Sequence, residues 1–142
     1  MNALAQLSIL SLIMTPEERR LLSHVGIKKT LNPPAKFTSL EIRYYEMLKE
    51  MKIDFIPQYP LCGRFYDAFL PKEKIILEFD GTFWHPKTEA DAKYAHQKKS
   101  FKVDVLKNKY AREYGLKIYR IREESPITST QLRKLIVEGT IE

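Results

Sequence analysis

A mixed α/β domain is the fold class this sequence predicts, with an antiparallel meander and one further strand returning through a helical crossover. The spacing of apolar residues switches between helical and alternating periods in the order helix, strand, strand, strand, helix, strand, helix. Proline and glycine mark the switches. The third observation is size, since 142 residues suffice for a single core that buries about 68–70% of the unfolded surface without a metal staple. Hydrophobic residues at 44% and charged residues at 30% exclude a disordered, fibrous or membrane-spanning chain. A single cysteine, Cys62, excludes an internal disulfide and any zinc site built from several thiolates. A reducing, cytoplasmic setting is therefore expected. Lys and Arg number 24 against 18 Asp and Glu, and the surplus of +6 points to an anionic partner.

Taken in order, residues 2–13 and 16–24 read as two short helices. Thr15-Pro16-Glu17-Glu18 between them has the form of a capping box with proline at the first helical position. The stretch 1–14 has no basic n-region and breaks at Ser8 and Ser11, so it reads as an amphipathic helix and not as a signal peptide. Asn32-Pro33-Pro34 makes 28–37 a stiff linker, which divides an N-terminal helical arm (1–37) from a main domain (38–142). Thr38 caps a helix expected over 39–52, its apolar stripe being Leu40, Tyr44, Met47 and Leu48 with Met51 at the edge. Strands are expected over 54–59, 64–70 and 74–80, punctuated by Pro60, Gly63 and the turn Pro71-Lys72-Glu73-Lys74. A polar loop with Gly81 and Pro86 leads to a long helical region over 88–114, which Gly115 closes with a left-handed cap. Residues 116–121 form the returning strand, and Thr128 or Ser129 opens a last helix through Val137.

The third strand, Ile75-Ile76-Leu77-Glu78-Phe79-Asp80, is the most hydrophobic in the chain yet carries two carboxylates. Centring the preceding turn between Lys72 and Glu73 sets Asp67 opposite Glu78, and the alternation of side chains adds Asp80 to that face. Three carboxylates on one apolar face repel one another. A hard divalent cation such as magnesium would relieve the cost, and solvent at a sheet edge would do so too.

Asp67 followed ten residues on by Glu78-Phe79-Asp80 resembles the metal-binding hairpin of the PD-(D/E)XK nucleases, without their usual lysine, because position 80 is Asp. The continuation Gly81-Thr82-Phe83-Trp84-His85-Pro86 resembles the very-short-patch repair (Vsr-like) endonucleases and the related EDxHD homing endonucleases. Asp104 ahead of Glu113-Tyr114-Gly115-Leu116 is similar to that family's helical acid, and Glu41 to its early glutamate. The similarity spans residues 38–123. It implies a restriction-endonuclease-like core with a mixed sheet of about four strands flanked by helices. It also implies a magnesium-dependent DNA endonuclease, with manganese able to substitute. By the same resemblance Asp67 and the Phe79 backbone carbonyl ligate the metal; the hairpin pattern adds Glu78 and Asp80 as further candidate ligands. His85 stands in for the lysine and activates water, Asp104 orients His85, and Glu41 completes the acidic pocket. The repair enzymes' structural zinc has no ligand set here, Cys62 being alone.

Each position also has a plainer reading. Glu41 is N3 of a Thr38-x-x-Glu41 capping box, and Asp104 stands three residues from Lys107, a spacing for a helical ion pair. Phe83 and Trp84 are either a wedge between base pairs, as the resemblance implies, or a plug under the loop. Between 93 and 120 lie nine cations, among them Lys93, Lys98, Lys99, Lys102 and Lys107, against Asp104 and Glu113. Such a stripe suits duplex DNA, or is simply a solvated helix face. The expected activity is nicking or double-strand cleavage of DNA, by a monomer or a homodimer. The alternatives are a branched-DNA resolvase, an RNase, and a non-catalytic DNA-binding or assembly module on the same scaffold.

Overall fold

The computed structural model of the protein describes residues 37–141. The expected arm, linker and capping box before Phe37 lie outside them. Helix α1 (Ser39–Glu50) begins at Thr38, whose hydroxyl accepts the Glu41 N–H at 3.2 Å. Strands β1 (Ile56–Leu61), β2 (Arg64–Leu70) and β3 (Ile75–Asp80) follow as an antiparallel meander. Helix α2 (Ala95–Glu113) crosses back to β4 (Lys117–Arg122), which runs parallel to β3, and α3 (Ser129–Glu138) closes the chain. The result is one mixed sheet of order β1-β2-β3-β4, flanked by helices as the sequence predicts. None of these helices is long and apolar enough to cross a membrane.

The sheet separates two apolar layers. Tyr44, Leu48, Ala68, Leu77, Phe79 and Leu132 fill the side under α1 and α3. Ile56, Tyr59, Tyr66, Phe69, Ile76 and Ala111 fill the side under α2. All of β3 is buried, as befits an inner strand covered on both faces. Each aliphatic side chain removed from water there contributes about 1.5–3 kcal/mol, which is what holds two carboxylate-bearing residues inside the domain.

Three expected elements shift, each for a physical reason. Strand β1 is displaced to include Pro60, because at the sheet edge a proline forfeits only an outward N–H; Cys62 and Gly63, at φ 50° and 74°, then supply the paired left-handed residues of a tight hairpin. The buried face of α1 is Glu41, Tyr44, Tyr45 and Leu48, with Leu40, Met47 and Met51 only half-buried. Tyr45 turns the face by stacking on Phe55 and donating its hydroxyl to the Asp67 carbonyl oxygen. The long helical region is divided: a single 3-10 turn, Glu89–Asp91, precedes a break, and α2 starts only at Ala95. There Gln97 Oε1 accepts the N–H groups of Lys93 and Tyr94 at 2.9 and 3.2 Å, which ends one turn and begins the next.

Candidate active site

The site grows from one irregularity in the sheet. β1 and β2 keep register through Pro57↔Ala68 and Tyr59↔Tyr66, and between those pairs lie Gln58 and Asp67. Ile56 and Tyr59 are three apart yet share the layer under α2, as do Tyr66 and Phe69. Strict alternation is therefore broken on both strands at this point. Gln58 carries the break, with φ at 52°, in the left-handed region that a side chain with a Cβ rarely occupies. Its amide donates to Glu41 Oε2 at 3.1 Å and reaches Asp67 Oδ1 at 3.5 Å. A helix acid and a strand acid are thus tied together from beneath.

The turn centred as expected gives Ala68↔Leu77, Phe69↔Ile76 and Leu70↔Ile75. One step further, side chains take over from the ladder. The Asp67 N–H donates to Glu78 Oε1 and the Phe79 N–H to Asp67 Oδ2, each at 2.8 Å. Beyond them opens a cavity of about 420 Å³ whose walls include Glu41, Asp67, Phe79, Trp84, His85 and Lys107. Glu41, Asp67, Phe79 and His85, chosen from sequence, meet on it. Glu41 serves its cap as well, so the two readings of that residue coexist.

His85 is held from several sides. Its N–H donates to the Gly81 carbonyl at 3.0 Å, and its own carbonyl accepts from Arg122 at 2.6 Å. Nδ1 lies 2.8 Å from Asp104 Oδ2. That contact raises the His85 pKa above 6.5 against the opposing effect of burial, with the charges of Asp104, Asp80 and Glu78 adding to it. Burial raises the carboxyls as well. Asp67 stands well above the usual aspartate value, pushed first by burial and then by Glu78, with Lys107 and the Phe79 N–H opposing. Glu41 is raised by burial, partly offset by hydrogen bonds from Gln58 and Thr38. Two buried acids that resist ionisation form a hard-oxygen donor set, and a divalent cation fits it.

Asp67 and Glu78 line the same cavity, whereas Asp80 is not among its lining residues, and Glu78 and Asp80 are each matched by a protein cation. Glu78 meets Lys107 Nζ at 2.6 Å, and the two Asp80 carboxylate oxygens accept from Arg120 Nη1 at 3.1 and 3.2 Å. Protein cations from α2 and β4 thus relieve the repulsion that the sequence pattern leaves to a metal or to solvent. Among the described residues, Asp80, His85 and Asp104 bring ligand-type atoms within 4.8 Å of one another, a set that could hold a metal ion. Arg120 also lies 3.5 Å from Asp104 Oδ1 and so already supplies positive charge there.

Phe83 and Trp84 are each 55% exposed and meet edge to face at 5.4 Å, so they do not plug the core. Tyr94 and His96 extend this patch, and His96 Nε2 is buried with no hydrogen-bond partner among the described residues. Lys93, Lys98, Lys99 and Lys102 are exposed, as both a DNA-facing stripe and a solvated helix face would have them. Lys107 is not: its ion pair with Glu78 draws it inside. Gln58 escaped the sequence reading. Its signal, in retrospect, is a lone amide in Ile56-Pro57-Gln58-Tyr59-Pro60, opposite Asp67.

No protein-family model matches the sequence, and no curated protein matches it either. Among solved structures, the chain is similar to the catalytic domain of the homing endonuclease I-Bth0305I, with 24% identity over 62% of this chain and 79% of that one and a TM-score of 0.45.

Proposed function

We propose that the chain is a magnesium-dependent DNA endonuclease of the Vsr-like, EDxHD kind on a restriction-endonuclease-like core, hydrolysing phosphodiester bonds in duplex DNA. The observation that carries this reading is the meeting of Glu41, Asp67, Phe79 and His85 on one cavity, with Asp104 hydrogen-bonded behind His85. Asp67 and the Phe79 carbonyl would hold the metal, with Glu41 as the outer carboxylate. When bound, magnesium or manganese lowers the pKa of water and offsets charge on the reacting phosphate.

The chain's own residues supply the rest. An ionised Asp104 can only accept, so His85 Nδ1 carries the hydrogen and Nε2 is left as the base. Nε2 takes a proton from water as its oxygen attacks phosphorus, and the P–O bond in line with it breaks to leave an alkoxide that solvent protonates. Asp104 then stabilises the imidazolium. Lys93, Lys98, Lys99 and Lys102 face the phosphate backbone, and Phe83 with Trp84 wedges into the base stack at the cavity's mouth.

The test is cleavage of supercoiled plasmid by the purified chain in magnesium, manganese or EDTA. Wild type relaxes or linearises the plasmid only with metal, and Asp67→Ala and His85→Ala each lose at least about 10²-fold. DNA binding by wild type with no cleavage in either metal would make the chain a binding module instead.

A further inference from the structure

Two cations are drawn into the domain beside the acids, and they differ in how fully they are used. The Arg120 guanidinium is engaged on every side, by Asp80, by the Asn108 side chain at 2.9 and 3.0 Å, and by the Asp104 carbonyl at 3.2 Å. Lys107 is fixed as firmly but is not saturated. Its Nζ lies 2.6 Å from Glu78 Oε2 and 4.7 Å from the centre of the Tyr66 ring, and the Tyr66 hydroxyl donates to Lys107's own carbonyl at 2.9 Å. Glu78 Oε2 is the hydrogen-bond acceptor the ammonium finds among the described residues. An ammonium has more donors than that, and Lys107 lines the cavity shared by Glu41, Asp67 and His85. Its remaining hydrogens are left to whatever enters.

Glu78 is committed in the opposite sense. One oxygen takes the Asp67 N–H and the other takes Lys107. That leaves it better placed to hold an ammonium than to ligate a metal. Glu41 and Asp67 line the same cavity, and Lys107 adds there a positive charge fixed by the chain itself, beside the one a bound metal would bring.

We propose that Lys107 contacts a non-bridging oxygen of the scissile phosphate, with Glu78 as the positioning residue that aims it. This rests on the nuclease reading above. Charge gathers on those oxygens as water attacks, and a preset, buried cation acts on that charge more strongly than one in solvent.

The test uses the full chain and a DNA duplex that wild type cleaves, made also with an uncharged methylphosphonate at the cleaved position. Lys107→Met should lower the single-turnover rate about 10²–10³-fold, with Lys107→Arg recovering part of the loss. In calcium without cleavage, Lys107→Met should bind the ordinary duplex several-fold more weakly and the methylphosphonate duplex as tightly as wild type does. The double variant Glu78→Gln/Lys107→Met has no unpaired buried charge to unfold it, and it should stay as impaired in binding as Lys107→Met. Recovery of wild-type binding by the double variant, or an equal loss on both duplexes, would reduce Lys107 to a counter-ion for Glu78. Those outcomes overturn the inference while wild type still cuts. A wild type that cuts no DNA in magnesium or manganese overturns the nuclease reading and this inference together.

Discussion

Replacing Gln58 tests the irregularity on which the site is built. Gln58 is 3% exposed, sits at φ 52°, and donates to Glu41. A hydrogen bond to a charged acceptor contributes about 1.5–3 kcal/mol, and a residue with a Cβ pays about 1–2 kcal/mol in the left-handed region. Gln58→Ala loses the first and keeps paying the second. Gln58→Gly loses the first but escapes the second, less about 0.4–1 kcal/mol for its freer unfolded chain. The expected order of stability is wild type, then Gly, then Ala, with losses of about 1.5 and about 2 kcal/mol. That is the reverse of the usual preference for alanine over glycine in a strand. In thermal unfolding followed by circular dichroism, the melting points should fall by about 5 and about 7 °C. The loss should shrink on acidification, since the Gln58 amide favours the ionised form of Glu41 and a protonated Glu41 needs it less. An alanine variant as stable as the glycine variant would refute the backbone argument. An alanine variant as stable as wild type would refute the link to Glu41.

Two further outcomes follow from the titrating groups. The His85 pKa is raised, so kcat/KM for cleavage should climb with pH through a midpoint above 6.5. Asp104→Asn should move that midpoint down and cut the rate about 10²–10⁴-fold, and a flat wild-type profile would remove His85 as the base. In stability the sign is fixed by the same shift: the His85–Asp104 contribution is fully present below 6.5 and fades as pH rises through the raised value, so Asp104→Asn should cost most in acid. Asp67 is also raised, so its ionised form burdens the fold at neutral pH. Asp67→Asn keeps an acceptor for the Phe79 N–H and should raise the melting point at pH 7 while abolishing cleavage. The gain should disappear as pH falls below the usual aspartate value, where wild type is neutral folded or unfolded. Magnesium should stabilise wild type and leave Asp67→Asn unmoved; equal metal shifts in both would place the cation elsewhere.

Local chemistry was readable residue by residue. Thr38 and Thr128 cap their helices and Gly115 turns the chain at φ 72° because these roles depend on a few neighbouring atoms. The turn at Lys72 and Glu73 set Asp67 opposite Glu78 because register propagates from a hairpin turn without help from the rest of the fold. Position along the chain says far less about a charge on a polar helix. Lys107 and Lys102 look alike in sequence, and only the docking of α2 over β3, with Glu78 waiting beneath, takes one inside and leaves the other in solvent. Arg120 became a clamp, and not part of a stripe, for the same reason: β4 lies parallel to β3, which places Arg120 beside Asp80. The left-handed step at Gln58 likewise has no local cause in Pro57-Gln58-Tyr59. It holds because Glu41, on a helix across the sheet, accepts the amide that the step delivers, and that compensation exists only once the chain has folded.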